Sequence, residues 1–308
     1  MANTLNLGSG NWGVKDSSLL GYKNRQNGRF IPETFDVARA SAGTRVNQSG
    51  LIETPEEILS ADLVTNGDFS QEGVEQVTNG DFATDSDWTI TNNVGSSTNI
   101  SGGSLNIITD GAYTQAAQNN ILTSGKSYVL TYTITSNSVV GSLSIVRGSS
   151  SLVVPSTVGT HSFYFESDGG GFAFKRGGGA LNVSIDNVSV KEVGQDWTLG
   201  TGWSIGSGTA NCDGTNAVAI EQNLSTVNTV VKKITFTVSN YVSGQLRVYS
   251  GAGADILYTV TANGTYTYYD YLVNNKIFFY SISSFIGSVD NVSVVEVNRD
   301  NLARIDYL

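Results

Sequence analysis

The chain has 308 residues, a formal net charge of −10 and one cysteine, with 14% charged residues, 35 glycines and 3 prolines. An acidic body repels phosphate backbones, so nucleic acid is excluded as a ligand. Cys212 alone excludes an intrachain disulfide or a cysteine-based metal cluster, and no apolar run approaches the roughly 20 residues that span a bilayer.

Low charge with abundant Gly, Ser, Thr and Asn predicts an all-β chain rich in turns. The first 60 residues balance six basic against six acidic side chains, so the remainder carries the whole negative charge. The opening Met-Ala-Asn-Thr-Leu has neither the basic start nor the apolar core of a secretory signal. Residues 1–60 read as an extended segment rather than a compact domain. Gly, Asn and Ser break every apolar run and leave Trp12, Phe30 and Phe35 as isolated anchors. Thr54-Pro55-Glu56-Glu57 has the N-cap, first-turn proline and early acids of a helix start, which predicts one or two helical turns there.

Val64-Thr-Asn-Gly-Asp-Phe69 recurs as Val77-Thr-Asn-Gly-Asp-Phe82. Trp88 follows the second copy, which marks that copy as the start of a module and residues 61–76 as a linker or edge strand. Two modules are expected, at 77–194 and 195–297, followed by a tail at 298–308. The strongest sign of duplication is Asp186-Asn-Val-Ser-Val-Lys-Glu-Val193, which returns 104 residues later as Asp290-Asn-Val-Ser-Val-Val-Glu-Val297. Apolar parity changes at the Asp: Leu181, Val183 and Ile185 precede it, and Val188 and Val190 follow. A strand that changes parity needs an extra residue, so a β-bulge is expected at each Asp-Asn pair. Matching Trp88 to Trp203 places the module openings 115 residues apart and implies an 11-residue shortening in the second module.

Within each module, apolar and polar residues alternate. Tyr128, Leu130, Tyr132 and Ile134 share one face, and Ile234, Phe236 and Val238 repeat the pattern. About eight short strands per module, separated by turn residues, predict two tandem jelly-roll-like β-sandwiches after the N-terminal segment.

Catalytic patterns are sparse. His161 is the only histidine and aligns with Tyr266, without a nucleophile or orienting acid that repeats with it. Glu166 and Glu221 are the only mid-strand acids and do not match between modules, so no carboxylate pair for glycoside hydrolysis is visible. Asp168-Gly-Gly-Gly171 and Gly177-Gly-Gly179 lack the Gly-Lys-Ser/Thr of a phosphate loop. Tyr266, Tyr268, Tyr269 and Tyr271 form the densest aromatic cluster. By parity, Tyr266 and Tyr268 face opposite to Tyr269 and Tyr271, and the exposed set would stack on a glycan or bury at a subunit interface.

Two resemblances bear on function. The run Phe35-Asp-Val-Ala-Arg39-Ala-Ser-Ala-Gly-Thr-Arg45-Val-Asn-Gln-Ser-Gly-Leu-Ile-Glu53 resembles a segment of tail-fibre and other virion proteins of tailed bacteriophages, in which Arg-Ile-Asp-Tyr follows shortly. Here that tetrapeptide comes only at Arg304–Tyr307. The resemblance implies a virion protein assembled in the host cytoplasm, with residues of about 61–298 inserted between the two halves of the segment. It further implies a particle anchor at Trp12, Phe30, Phe35, Arg39 and Arg45, other virion proteins as partners, and a homo-oligomer, a trimer above others. The Asn-Gly-Asp-Phe opening and Asp-Asn-Val-Ser-Val closing strands resemble carbohydrate-binding jelly rolls of the xylan- and cellulose-binding type. That resemblance implies a structural calcium at Asp186 and Asp290, although the family's Glu after the opening Phe is Ala83 and Thr198 here. A non-enzymatic structural protein is the leading expectation. A glycan-binding adhesin for host attachment and a polysaccharide depolymerase are the alternatives.

Overall fold

A computed structural model describes residues 57–298 except 140, 226–228, 250–255 and 273–274, together with five short strands before residue 54. Every regular element among the described residues is a strand. At the N-terminus, β1 (Trp12–Lys15), β2 (Ser18–Asn24) and β3 (Phe30–Pro32) form an antiparallel meander, and β4 (Arg45–Val46) pairs with β5 (Ile52–Glu53). Trp12, Phe30 and Arg45 therefore lie in strands, while Phe35, Arg39 and Arg304–Tyr307 fall outside the described residues. Glu57–Ile58, where a helix is predicted, is strand β6. Pairing with a distant strand overrides the local helix-start signal there.

The first sandwich follows β7 (Glu72–Glu75). One sheet has the order β15 (Gly159–Glu166), β12 (Ser127–Val139), β17 (Leu181–Val193), β10 (Ser104–Thr109), β9 (Asn99–Ser101), with β7 added on β17. The other has the order β14 (Ser151–Val154), β13 (Ser142–Arg147), β16 (Gly170–Gly178), β11 (Thr114–Leu122), β8 (Thr89–Asn92). The predicted inward set Tyr128, Leu130, Tyr132 and Ile134 is buried between them.

The second sandwich uses β18 (Thr198–Leu199), β19 (Trp203–Gly206), β20 (Thr209–Asp213), β21 (Val218–Asn223), β22 (Lys232–Tyr249), β23 (Ile256–Val260), β24 (Gly264–Asp270) and β25 (Lys276–Asn298). Its strands repeat the same order, but β22 and β25 each run through both layers. At the corner, Gly244 has φ +77, and a Cβ there would sit 2.3 Å from the Phe285 amide nitrogen. Glycine is required for the chain to bend from one sheet into the other.

The bulges stand where the parity change places them. Thr131 and Thr133 of β12 oppose Ser189 and Asp186, with Asn187 at φ 51. Thr235 and Thr237 of β22 oppose Ser293 and Asp290, with Asn291 at φ 51.

The two Val-Thr-Asn-Gly-Asp-Phe copies serve different sandwiches. The second copy docks on the first sandwich: Val188 N donates to Gly80 O at 2.8 Å, and Glu75 accepts from Val190 N. The first copy docks on the second sandwich: Val292 N donates to Gly67 O at 2.8 Å, Asp62 accepts from Val294 N, and β6 pairs with the end of β25. Both glycines are held by close approach, since a Cβ at Gly67 or Gly80 would meet the carbonyl oxygen of Val292 or Val188 at 2.0 Å. Val64 and Phe69 accordingly join the second core. Within the stretch 61–76, expected as a linker or edge strand, residues up to Phe69 belong to the second sandwich and β7 is an edge strand of the first, so the first sandwich lies in sequence between two parts of the second.

The tryptophans correct the module alignment. Trp88 Nε1 donates to Asn79 O, and Trp197 Nε1 to Asn66 O. Trp197 therefore occupies the position of Trp88, with Asp87 and Asp196 both at positive φ. The second module's shortening is smaller than the Trp203 match implies. A buried glutamine clamps each opening strand. Gln118 bonds the backbone of Thr78 in both directions, and Gln222 does the same for Thr65. The sandwiches also touch: Ile205 N donates to Ser127 Oγ at 3.1 Å, and Val129 and Val193 join the second core.

Candidate functional site

The second sandwich carries an aromatic surface on the outer face of its β23-β22-β25-β21-β18 sheet. In β25, Ile277 and Phe279 are buried against Ile220 and Val248, so alternation sends Phe278 and Tyr280 outward. Cross-strand register sets Tyr249 and Glu221 beside Phe278, and Arg247 and Ala219 beside Tyr280. The Tyr249 and Tyr280 rings meet edge to face, with centroids 5.7 Å apart. Phe278 forms the floor at 7% exposure, with Lys276 Nζ 5.4 Å from its ring centroid. The same ammonium pairs with Glu221 Oε1 at 2.9 Å. Half-buried ring faces bordered by charged groups suit a pyranose, whose C–H face stacks on an aromatic while its hydroxyls reach the rim.

The tyrosine cluster singled out from the sequence is split, as its parity requires. Tyr266 and Tyr268 turn inward onto Phe236, with centroids 5.6 and 5.9 Å away. Burial, followed by the neighbouring Tyr258 and Tyr266, pushes the Tyr268 hydroxyl well above the ordinary tyrosine range. Tyr258, 44% exposed, stacks on Tyr268 and closes the sandwich edge. Tyr269 faces the other way, with Lys233 Nζ 6.0 Å from its ring centroid. Tyr271 lies past the end of β24, its N–H bonded to Asp270 Oδ1. The four do not form one surface.

His161 and Tyr266 do occupy equivalent positions. His161 Nε2 lies 2.6 Å from Thr157 O, and Tyr266 donates its hydroxyl to Ala262 O. Cys212 is buried, and that burial pushes its thiol upward.

Each bulge aspartate accepts the N–H of the residue after it, Asn187 for Asp186 and Asn291 for Asp290, both at 2.6 Å. Burial raises the Asp290 carboxyl above the ordinary range, and the nearby negative charge of Asp68 adds to the rise. Asp68 itself is lowered by the Ser70 hydroxyl and amide. Among the described residues no group of three or more His, Cys, Asp or Glu is gathered. Among them, Asp68 and Asp290 are the one carboxylate pair near the second bulge whose charges act on each other, and two carboxylates fall short of a full ligand set. Calcium takes six to eight oxygens, so backbone carbonyls and water would have to supply the balance.

The outer-face aromatics were missed in the sequence because Phe278-Phe279-Tyr280 reads as a strand buried on both sides. The available signal was the pairing of two alternations, Arg247/Tyr249 against Leu246/Val248 and Phe278/Tyr280 against Ile277/Phe279.

No family model matches this chain, and no curated protein matches it. Among solved structures, it is similar to the tandem CBM22 carbohydrate-binding modules of Paenibacillus barcinonensis Xyn10C, with 8% identity over 74% of this chain and 99% of that one, at a TM-score of 0.32. Tandem CBM51 modules of a family 98 glycoside hydrolase from Streptococcus pneumoniae match at 9% identity over 63% and 83%, with a TM-score of 0.22. Allantoicase from Saccharomyces cerevisiae matches at 11% identity over 61% and 81%, with a TM-score of 0.26. These superpositions are loose, and the architecture rests on the chain's own strand pairing.

Proposed function

We propose that this chain is a non-enzymatic structural protein of a bacteriophage particle that binds glycans through the outer face of its second sandwich. The observation that carries the binding reading is the Tyr249–Phe278–Tyr280 surface, bordered by Arg247, Lys276 and Glu221. The particle setting rests on the sequence run Phe35–Glu53 and its separated Arg304–Tyr307 half. The pairing of Ile58 with Val297 supports the insertion reading, because it brings the two ends of the inserted block side by side. In this reading the N-terminal segment anchors to other virion proteins, copies associate as a trimer, and Asp186 and Asp290 would each contribute a carboxylate to a structural calcium.

The absence of catalysis is part of the proposal. His161 is tied to a backbone carbonyl, and Glu221 is engaged by Lys276. A glycan array probed with the full chain, followed by affinity electrophoresis on the hits, tests the binding. Saturable retention that Tyr280→Ala abolishes is expected, and no retention on any glycan overturns it. Release of reducing ends from a retained polysaccharide would replace this reading with the depolymerase one.

A further inference from the structure

We propose that the sugar recognised on this face is acidic, a pyranose bearing a carboxylate, with Arg247 holding the carboxylate. The proposal rests on the glycan-binding reading and adds the class of ligand. Arg247 stands directly across the strand pair from Tyr280 and two residues from Tyr249, so it shares the outer face with both rings, its guanidinium turned to Gln245. Among the described residues it has no ion pair. Its Nη2 makes one bond of 3.3 Å, to Gln245 Oε1, and its Nε is buried without a hydrogen-bond partner.

A guanidinium N–H that has lost water and gained no acceptor is costly, and the group's planar fork matches a carboxylate's two oxygens. The neighbouring acid does not supply that carboxylate, because Glu221 is taken by Lys276 at 2.9 Å. With that pair neutralised, Arg247 leaves this face locally positive on a chain whose net charge is −10. A uronic acid lying over Tyr280 stacks its ring on the aromatic. Its carboxylate accepts from Nε and Nη2 once Arg247 swings over the ring, in place of the long bond to Gln245. The corresponding face of the first sandwich has Lys175 and Ser144 where the second has Tyr280 and Arg247. It therefore lacks both the platform and the fork.

The test compares oligosaccharides of polygalacturonate, polyglucuronate and alginate with the same chains after carboxyl reduction. Binding to the full-length protein is measured by isothermal titration calorimetry at two salt concentrations. At least one acidic chain is expected to bind tenfold or more tightly than its reduced form. Arg247→Met should remove that difference, and Tyr280→Ala should abolish binding of both forms. Equal binding of acidic and reduced chains, or binding only to neutral glycans on the array, overturns the acidic class and leaves glycan binding standing. Binding to no saccharide overturns both. Dextran sulfate serves as a polyanion without carboxylates. If it binds as tightly as the uronates and loses affinity equally in Arg247→Met, a general anion site replaces the proposal.

Discussion

Trp197 donates its indole N–H to the carbonyl of Asn66 at 3.0 Å, across 131 positions of chain that contain an entire β-sandwich. Phe69 completes the contact, its ring centroid 5.1 Å from that of Trp197. The second sandwich is therefore built from two separated pieces. A fragment of residues 72–193 is expected to fold, whereas 195–297 alone should not, because it lacks Val64 and Phe69 from its core. Adding 57–71 through a short linker should restore a cooperative melt. Thermal denaturation followed by near-ultraviolet circular dichroism checks this, and a cooperative melt of 195–297 alone would refute it.

Gly67→Ala and Gly80→Ala should each damage a different sandwich. Each introduces a Cβ at 2.0 Å from a carbonyl oxygen, Val292 in one case and Val188 in the other. A loss of more than about 1 kcal/mol is expected from each. Hydrogen exchange should localise the first to the β22–β25 ladder and the second to the β12–β17 ladder. The same exchange pattern for both variants would contradict the assignment of the motifs.

Asp290 makes stability depend on pH. Its folded carboxyl titrates above the ordinary range, so folding favours its protonated form. The stability gained from this group is present below the unfolded value and is lost as pH rises through the folded one. Asp290→Asn keeps an oxygen for the Asn291 N–H and removes the repulsion from Asp68. In EDTA it is expected to melt higher than the parent at pH 7 and at the same temperature near pH 3. Millimolar calcium should raise the parent alone if the ion sits at this pair, which differential scanning calorimetry reads directly.

Tyr266→Ala and Tyr280→Ala should separate stability from binding. Tyr266 packs on Phe236 at the edge of the core, so its truncation is expected to cost about 2–4 kcal/mol. Tyr280 lies on the outer face and should cost less than about 1 kcal/mol while abolishing glycan retention. Denaturant melts and affinity electrophoresis on the same two proteins decide the point.

Local rules read well from this sequence, and pairings between distant segments did not. The change of parity at Asp186 and Asp290 is a property of a few consecutive residues, so the bulges were visible without the fold. The repeated Val-Thr-Asn-Gly-Asp-Phe motif was equally visible. Its partner was not, because identical hexapeptides fit either Asp-Asn-Val-Ser-Val strand and only the flanking contacts of Asp62 and Glu75 separate them. Trp88 had two possible counterparts six residues apart, Trp197 and Trp203. The nearer one shares the preceding Asp and following Thr, a closer match than overall spacing. Tyr249, Arg247 and Tyr280 come together only through β22–β25 register, which composition and periodicity do not encode.

The pairing of Ile58 with Val297 also sets how the molecule would carry force. Tension applied through the two ends of the described body enters the second sandwich at one corner, where two antiparallel strands lie side by side. Short ladders loaded at one end part a few bonds at a time. The first sandwich is bonded in sequence to both pieces of the second but lies off that line of tension. A tethered molecule should therefore yield first by peeling β6 from β25 while the first sandwich keeps its fold.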